Sequence, residues 1–419
     1  MANILIKNLV FEMIINEESK IAKGINPIPG NYINQKLLKK ELELKEQKEF
    51  KPVKEHKENL NNELPKPNNE TSSKFTSSPK PIKDIYNNLD DLKNFLQIES
   101  PQFLEKFELQ KIIKSGSAGS VIEARPKMKG NKSQISKLIA LKMLNNGKDK
   151  GNKQNHAEII IHGSLKNKNI PQIYGYYKVG NNSCIAMELS LYGDLDNFKK
   201  KVIKRAPLSE TLICYILGGI CQAVYYIHTH NKIIHMDIKQ QNILVDDYIN
   251  VKLTDFSVSV SYKDLKKIRL PMVGTCYYMS PEVLRKETIN ASDASKIDVY
   301  SIGVLLYLLA FCDYPFKLRE VDNKDYDKIL ENIEKNEIEF PKDIEYSKVF
   351  LNCIKNCLNK DLKKRYSIYQ LMKDPFFEGY QIIMNEKEKL YNAGKFVVDL
   401  MVDNIINFNQ FIKEKENFL

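Results

Sequence analysis

His235, Asp237, Lys239 and Asn242 fall inside one octet, and Asp255 follows thirteen positions after Asn242 in the run Asp255-Phe256-Ser257. An aspartate that takes a proton from an attacking hydroxyl, a lysine that neutralises growing phosphate charge, and an asparagine with a second aspartate as hard oxygen donors for Mg2+ are what phosphoryl transfer needs. These residue types at this spacing point to movement of a γ-phosphate.

Upstream, Ile113-Lys114-Ser115-Gly116-Ser117-Ala118-Gly119-Ser120-Val121 sets two glycines in a turn between strands. Backbone amides there can approach a triphosphate without Cβ interference, although an ordinary β-turn is the alternative for such a stretch by itself. Ile139-Ala140-Leu141-Lys142 reads as an apolar strand that delivers Lys142 into a cleft beneath that turn. Glu158, on a helical segment around His156 to Leu165, is the natural counterion.

Gly116-x-x-Gly119-x-Val121, Ala140-x-Lys142, Glu158, His235-x-Asp237-x-Lys239-x-x-Asn242, Asp255-Phe256 and Ser280-Pro281-Glu282 together resemble the eukaryotic protein kinases over residues 105–378. The resemblance implies an α+β, bilobal fold, with a small antiparallel β-sheet lobe holding one helix (105–187), a hinge (188–193) and a larger, mainly α-helical lobe (194–378). It implies Asp237 as catalytic base, Lys239 as phosphate-stabilising lysine, and Asn242 and Asp255 as ligands of two Mg2+ ions. ATP would lie under the turn from Ile113 to Val121, with adenine between Val121 and Ala140 above and Leu244 below. Backbone groups of Glu188 and Ser190 would read its edge, and Met187 would bound the pocket behind. Asp298 would hold the catalytic-loop backbone and Arg365 would pair with Glu282. Lys239 with Gly274-Thr275 is similar to the Ser/Thr branch, so Thr275 joins the catalytic group and protein serine and threonine hydroxyls are the expected acceptors.

Three positions depart from the family pattern. Met236 stands where many of these enzymes carry an Arg that receives a phosphorylated loop residue, and the loop 263–273 contains no Ser, Thr or Tyr. Acceptor and receiver are both missing, so activity without loop phosphorylation is expected. Ser257 replaces a glycine, which should disfavour rotation of Asp255 out of the cleft and weaken ligands that depend on that arrangement. Lys114 replaces the first glycine of the phosphate turn, which should loosen that turn. A catalytically silent kinase-like scaffold that binds partners is the alternative function, although such relatives usually lose Lys142, Asp237 or Asp255, all present here.

The remaining chain bounds these readings. Residues 1–104 are a Lys-, Glu- and Asn-rich extension with the composition of disorder from 16 to about 85 and a short helix near 89–98, built on Leu89, Leu92, Phe95 and Leu96. Residues 379–419 read as an amphipathic helical tail docked on the main body. The net charge of +11 is dispersed, so no nucleic-acid partner is expected, the basic loops around Lys129, Lys132, Lys148, Lys150 and Lys153 included. Seven cysteines without a CxxC pair argue against a disulfide framework or zinc site and fit a reducing, intracellular setting, cytoplasmic or nuclear. Cys353 and Cys357 share a helical face as core residues. Neither a secretory leader nor a transmembrane span is expected, and the chain reads as a monomer acting on protein substrates.

Overall fold

The computed structural model describes residues 105–116, 119–127, 137–144, 158–179, 182–201, 206–246, 249–342, 344–392 and 406–417. Strands β1 (Phe107–Gly116), β2 (Gly119–Pro126), β3 (Ile139–Leu144), β4 (Ile173–Val179) and β5 (Asn182–Glu188) form an antiparallel sheet in the order β1-β2-β3-β5-β4. In β2, Ser120, Ile122 and Ala124 are buried and alternate with more exposed neighbours, as a strand with one face on a core requires. Leu109, Ile122, Leu141 and Cys184 form one cluster, and Ala140, Leu144, Ile185 and Met187 form another. Helix α1 spans 158–164.

The helical part follows β6 (Gly193–Asp194) and α2 (Leu195–Lys201). Its centre is α3 (Glu210–Tyr226), capped by Ser209 accepting from Leu212 N at 3.3 Å. The short strands β7 (Ile233–Ile234), β8 (Ile243–Val245), β9 (Val251–Leu253), β10 (Val260–Ser261) and β11 (Lys267–Arg269) carry the functional loops. Beyond α4 (Pro281–Leu284) and β12 (Thr288–Asn290), helix α5 (Lys296–Phe311) is buried at every position from Ile297 onward. A helix apolar all round belongs at the middle of a core. It is followed by α6 (Tyr326–Lys335), α7 (Lys348–Cys357), α8 (Ile368–Met372), α9 (Pro375–Asn392) and α10 (Ile406–Glu416). Cys353 and Cys357 are fully buried, as their spacing predicted.

Two helical stretches, Glu210–Asn231 and Ala291–Phe311, are long and apolar enough to cross a membrane by length and composition alone. They are 83% and 89% buried within the fold, the position of core helices.

The tail differs in detail from its expected form. Helix α9 begins at Pro375 and runs through residue 378, so the proposed domain boundary falls inside one helix. Helix α10 docks on the body: Ile412 is buried, Lys415 pairs with Glu378 at 3.3 Å, and Lys348 N donates to Glu416 at 2.7 Å. The head, its helix near 89–98, Lys129, Lys132, Lys148, Lys150, Lys153 and the tail positions 393–405 lie outside the described residues.

Candidate active site

Strand β3 and helix α1 bring Lys142 and Glu158 together across the sheet's inner face. Lys142 Nζ donates to Glu158 Oε1 at 2.6 Å and to Asp255 Oδ1 at 3.0 Å, which joins the sheet to the loop after β9. Burial disfavours the ammonium, but the two carboxylates outweigh it and raise the Lys142 pKa. Burial pulls Asp255 the other way, yet Lys142 and a hydrogen bond from Ser257 bring it down to about 2. Lys142 and Asp255 are therefore both ionised at neutral pH. Asp255 itself has a left-handed backbone, φ 69°, a conformation that Ser257 does not share.

The second cluster is built on Asp237. Its Oδ1 accepts from Thr275 N and Thr275 Oγ1, both at 2.9 Å. Its Oδ2 accepts from Asn242 Nδ2 at 2.9 Å and lies 2.7 Å from Lys239 Nζ, which also donates to Thr275 Oγ1 at 2.8 Å. Every carboxylate oxygen has two donors, so rotation of this side chain is suppressed. Gly274 makes the approach possible: its φ is 102°, and a Cβ there would collide with Met236 O.

A buried anion holds the catalytic loop from behind. Asp298, at the start of α5, accepts from His235 N at 2.8 Å and Met236 N at 3.0 Å, and pairs with His228 at 2.7 Å. Burial opposes ionisation of Asp298, but these partners bring its pKa down. Met236, at φ 70°, is 5% exposed and packs in the core of the helical part. Arg365 and Glu282 form a buried fork, with Nη1–Oε1 at 2.5 Å and Nη2–Oε2 at 3.0 Å.

The residues expected to face a nucleotide lie on the sheet and on β8. Val121 and Ala140 pair with Lys142 and Glu123 on the adjoining strands β3 and β2, Ala140 also faces Met187 on β5, and Leu244 lies on β8. Gly116 and Gly119 close the β1–β2 hairpin, with Ser115 opposite Ser120, and the conformation of Gly119, φ 139°, leaves no room for a Cβ against Met143 O. Ser117 and Ala118 lie outside the described residues, and Ile113 is 39% exposed. The Glu188 carboxylate is engaged by Lys252 at 3.0 Å, whereas the buried Ser190 Oγ has no hydrogen-bond partner among the described residues. An orphaned hydroxyl at the hinge suits a polar ligand edge. For metal, Asn242 uses its Nδ2 on Asp237, which leaves its carbonyl oxygen with Asp255 as a hard donor set. Among the described residues no group of three or more His, Cys, Asp or Glu is placed to hold an ion.

Three contacts were not foreseen. Lys114, expected to loosen the turn, reaches Asp194 at 3.3 Å, an ion pair from β1 to β6. Asp194 also accepts from Asn197 N and so caps α2. The other two involve rings: Phe256 lies between His162, at 5.1 Å, and His235, at 5.0 Å. His162 Nε2 donates to Pro171 O at 3.0 Å, and burial lowers its pKa to about 4.

This gives a signed pH dependence. The unfolded chain takes up a proton at His162 near pH 6.5 and the folded chain only near 4, so the stability from the neutral ring is complete above 6.5 and lost as pH falls through about 4. Between pH 6.5 and 5 that loss is on the order of 2 kcal/mol. Urea unfolding across this window checks it: His162→Leu should flatten the slope, and an unchanged slope rejects the assignment.

Comparison with known proteins adds an independent line. Residues 107–377 match the protein kinase domain. Serine/threonine-protein kinase dst2 of Dictyostelium discoideum is 32% identical over 309 residues, covering 72% of this chain and 24% of that protein. Probable serine/threonine-protein kinase fhkC of the same organism is 28% identical over 304 residues, with 72% and 49% covered. Calcium-dependent protein kinase 5 of Plasmodium berghei is 30% identical over 328 residues, with 76% and 52% covered. The chain thus spans between a quarter and about half of the length of these curated relatives.

Proposed function

The chain belongs to the eukaryotic protein kinase superfamily, in its Ser/Thr branch, and from that premise we propose that it transfers the γ-phosphate of ATP to serine and threonine hydroxyls of proteins inside the cell. The observation that carries this reading is the convergence of Lys142 on Glu158 and Asp255 beside the fully bonded Asp237.

In this mechanism Lys142, oriented by Glu158, sets its charge against the α- and β-phosphates. Asn242 and Asp255 would hold Mg2+, which when bound neutralises charge on the β- and γ-phosphates. Asp237 receives the proton of the acceptor hydroxyl, and Lys239 lies beside the position where phosphoryl charge grows. Thr275 links Lys239 to Asp237 and keeps both in register.

The activation segment supports activity without loop phosphorylation. Strand β11 pairs with β12 through Lys267–Asn290, Ile268–Ile289 and Arg269–Thr288, while Leu270 N donates to Glu287 O and Ala291 N to Lys266 O. Backbone hydrogen bonds do here what phosphate-to-Arg bonds do in a switched loop. Ser259 and Tyr262 donate inward to His235 O and His228 O, which leaves Ser261 as the exposed hydroxyl beside the segment.

Purified protein supplied with γ-labelled ATP and a mixed protein substrate is expected to yield phosphoserine and phosphothreonine but no phosphotyrosine, and chelation by EDTA should stop it. Prior phosphatase treatment should leave the rate within about twofold. A collapse after phosphatase, reproduced by Ser261→Ala, overturns the loop reading.

A further inference from the structure

On the β11–β12 ribbon Ile268 and Ile289 are 5% and 7% exposed, so the pleat turns Lys267 and Arg269 outward. Lys263 and Lys266 just ahead are exposed as well. None of these four cations forms an ion pair among the described residues. The acids flanking β12 are committed elsewhere, Glu287 to Arg285 at 2.9 Å and Asp293 to Lys296 at 3.1 Å, and Asp264 is the one carboxylate within the segment. Uncompensated like charges in so short a stretch repel one another and focus a positive potential. The same segment borders a concavity of about 600 Å3, rimmed by His230, Lys232, Lys263, Asp264 and the half-exposed Leu265.

Position relative to the chemistry gives this charge a use. Arg269 precedes Thr275 by six residues, and Thr275 touches Asp237. At no more than ~3.5 Å per residue, the ribbon lies within roughly 20 Å of the reacting carboxylate. An extended peptide with its hydroxyl at Asp237 covers that span with about six residues. The loop from His235 to Asn242 contains no carboxylate other than Asp237, and Asp194 is already held by Lys114. Four exposed cations thus face a substrate's flank against two exposed acids without an ion pair among the described residues, Asp264 in the segment and Asp322 beside Cys276, so the balance there is positive.

We infer that the outer face of the activation segment, through Lys263, Lys266, Lys267 and Arg269, docks acidic residues flanking the phosphoacceptor, so that the substrates are acidic protein segments. This rests on the kinase reading and adds the substrate class to it. Exposed pairs contribute little singly, so the preference comes from several acting together and shrinks with salt, as the Debye length falls to about 8 Å at physiological ionic strength.

The test uses the full chain and serine peptides of one length that differ only in carrying Glu, Gln or Lys around the acceptor. The Glu peptide should exceed the Gln peptide about tenfold in kcat/KM, mainly through KM. The combined change Lys266→Glu, Lys267→Glu, Arg269→Glu should erase that preference while turnover of the Gln peptide stays within about twofold. Equal use of Glu and Gln peptides by the unchanged protein overturns the inference, as does a preference that survives charge reversal. Fluorescence anisotropy of the labelled Glu peptide separates this from the kinase reading: charge-dependent binding by a protein that phosphorylates no peptide keeps the docking surface and removes the activity. A DNA oligonucleotide or phosphatidylserine vesicle that binds as tightly and displaces the Glu peptide also overturns it, because the surface would then be a general polyanion site.

Discussion

Replacing Asp237 by Asn is expected to lower kcat by about 10²- to 10⁴-fold, the range general-base catalysis supplies, with nucleotide affinity almost unchanged. Asparagine keeps an oxygen that can accept from Thr275 N, but its amide group meets Lys239 and Asn242, both donors. The proton acceptor disappears and the side chain's volume does not. The proposed nucleotide contacts are assigned to other residues, so affinity for ATP, read by fluorescent-nucleotide titration, separates a chemical defect from a folding one. Thermal unfolding with and without nucleotide completes the comparison. Equal phosphate incorporation by both proteins would assign the activity to a contaminant and return the chain to the silent-scaffold alternative.

Arg365→Met is expected to destabilise the fold by about 3–5 kcal/mol, because it strands Glu282 in the core without a counterion. Arg365 is 1% exposed, and besides the fork to Glu282 it donates to Asn359 O at 2.9 Å and stacks on Tyr300 at 4.9 Å. Lysine cannot restore a planar fork. The double change Arg365→Met with Glu282→Leu should recover most of the loss, since the desolvation cost of a lone carboxylate disappears with it. Chemical denaturation of the four proteins gives the coupling directly. If the single and double variants are equally unstable, the charge pair is not what holds α4 against the loop between α7 and α8.

Much of the site was legible because phosphoryl chemistry restricts residue type so tightly. Residues far apart in the chain gather into two clusters, Lys142 with Glu158 and Asp255, and Asp237 with Asn242 and Thr275. The role of Asp298 was legible only through the family resemblance, and its carboxylate does accept from His235 N and Met236 N. What escaped the sequence was carried by short or long-range pairing. Ile268 and Ile289 are single apolar residues between polar ones, too brief for a period to register, yet they anchor the ribbon that orders the activation segment. Lys114 and Asp194 are eighty residues apart, and nothing local marks either as a partner of the other. The continuous helix α9 was divided at 378 because the family pattern stops where the helix does not.

The thiols have a practical consequence. Cys184 is enclosed in the sheet domain, whereas Cys214, Cys221, Cys353 and Cys357 are enclosed among the helices, and burial raises the pKa of the first four of these five. A protonated, inaccessible sulfur does not react with alkylating reagents until the surrounding structure opens. Pulse alkylation followed by peptide mapping therefore reads two separate clocks in a single untagged molecule, one for each half, with no engineered probe.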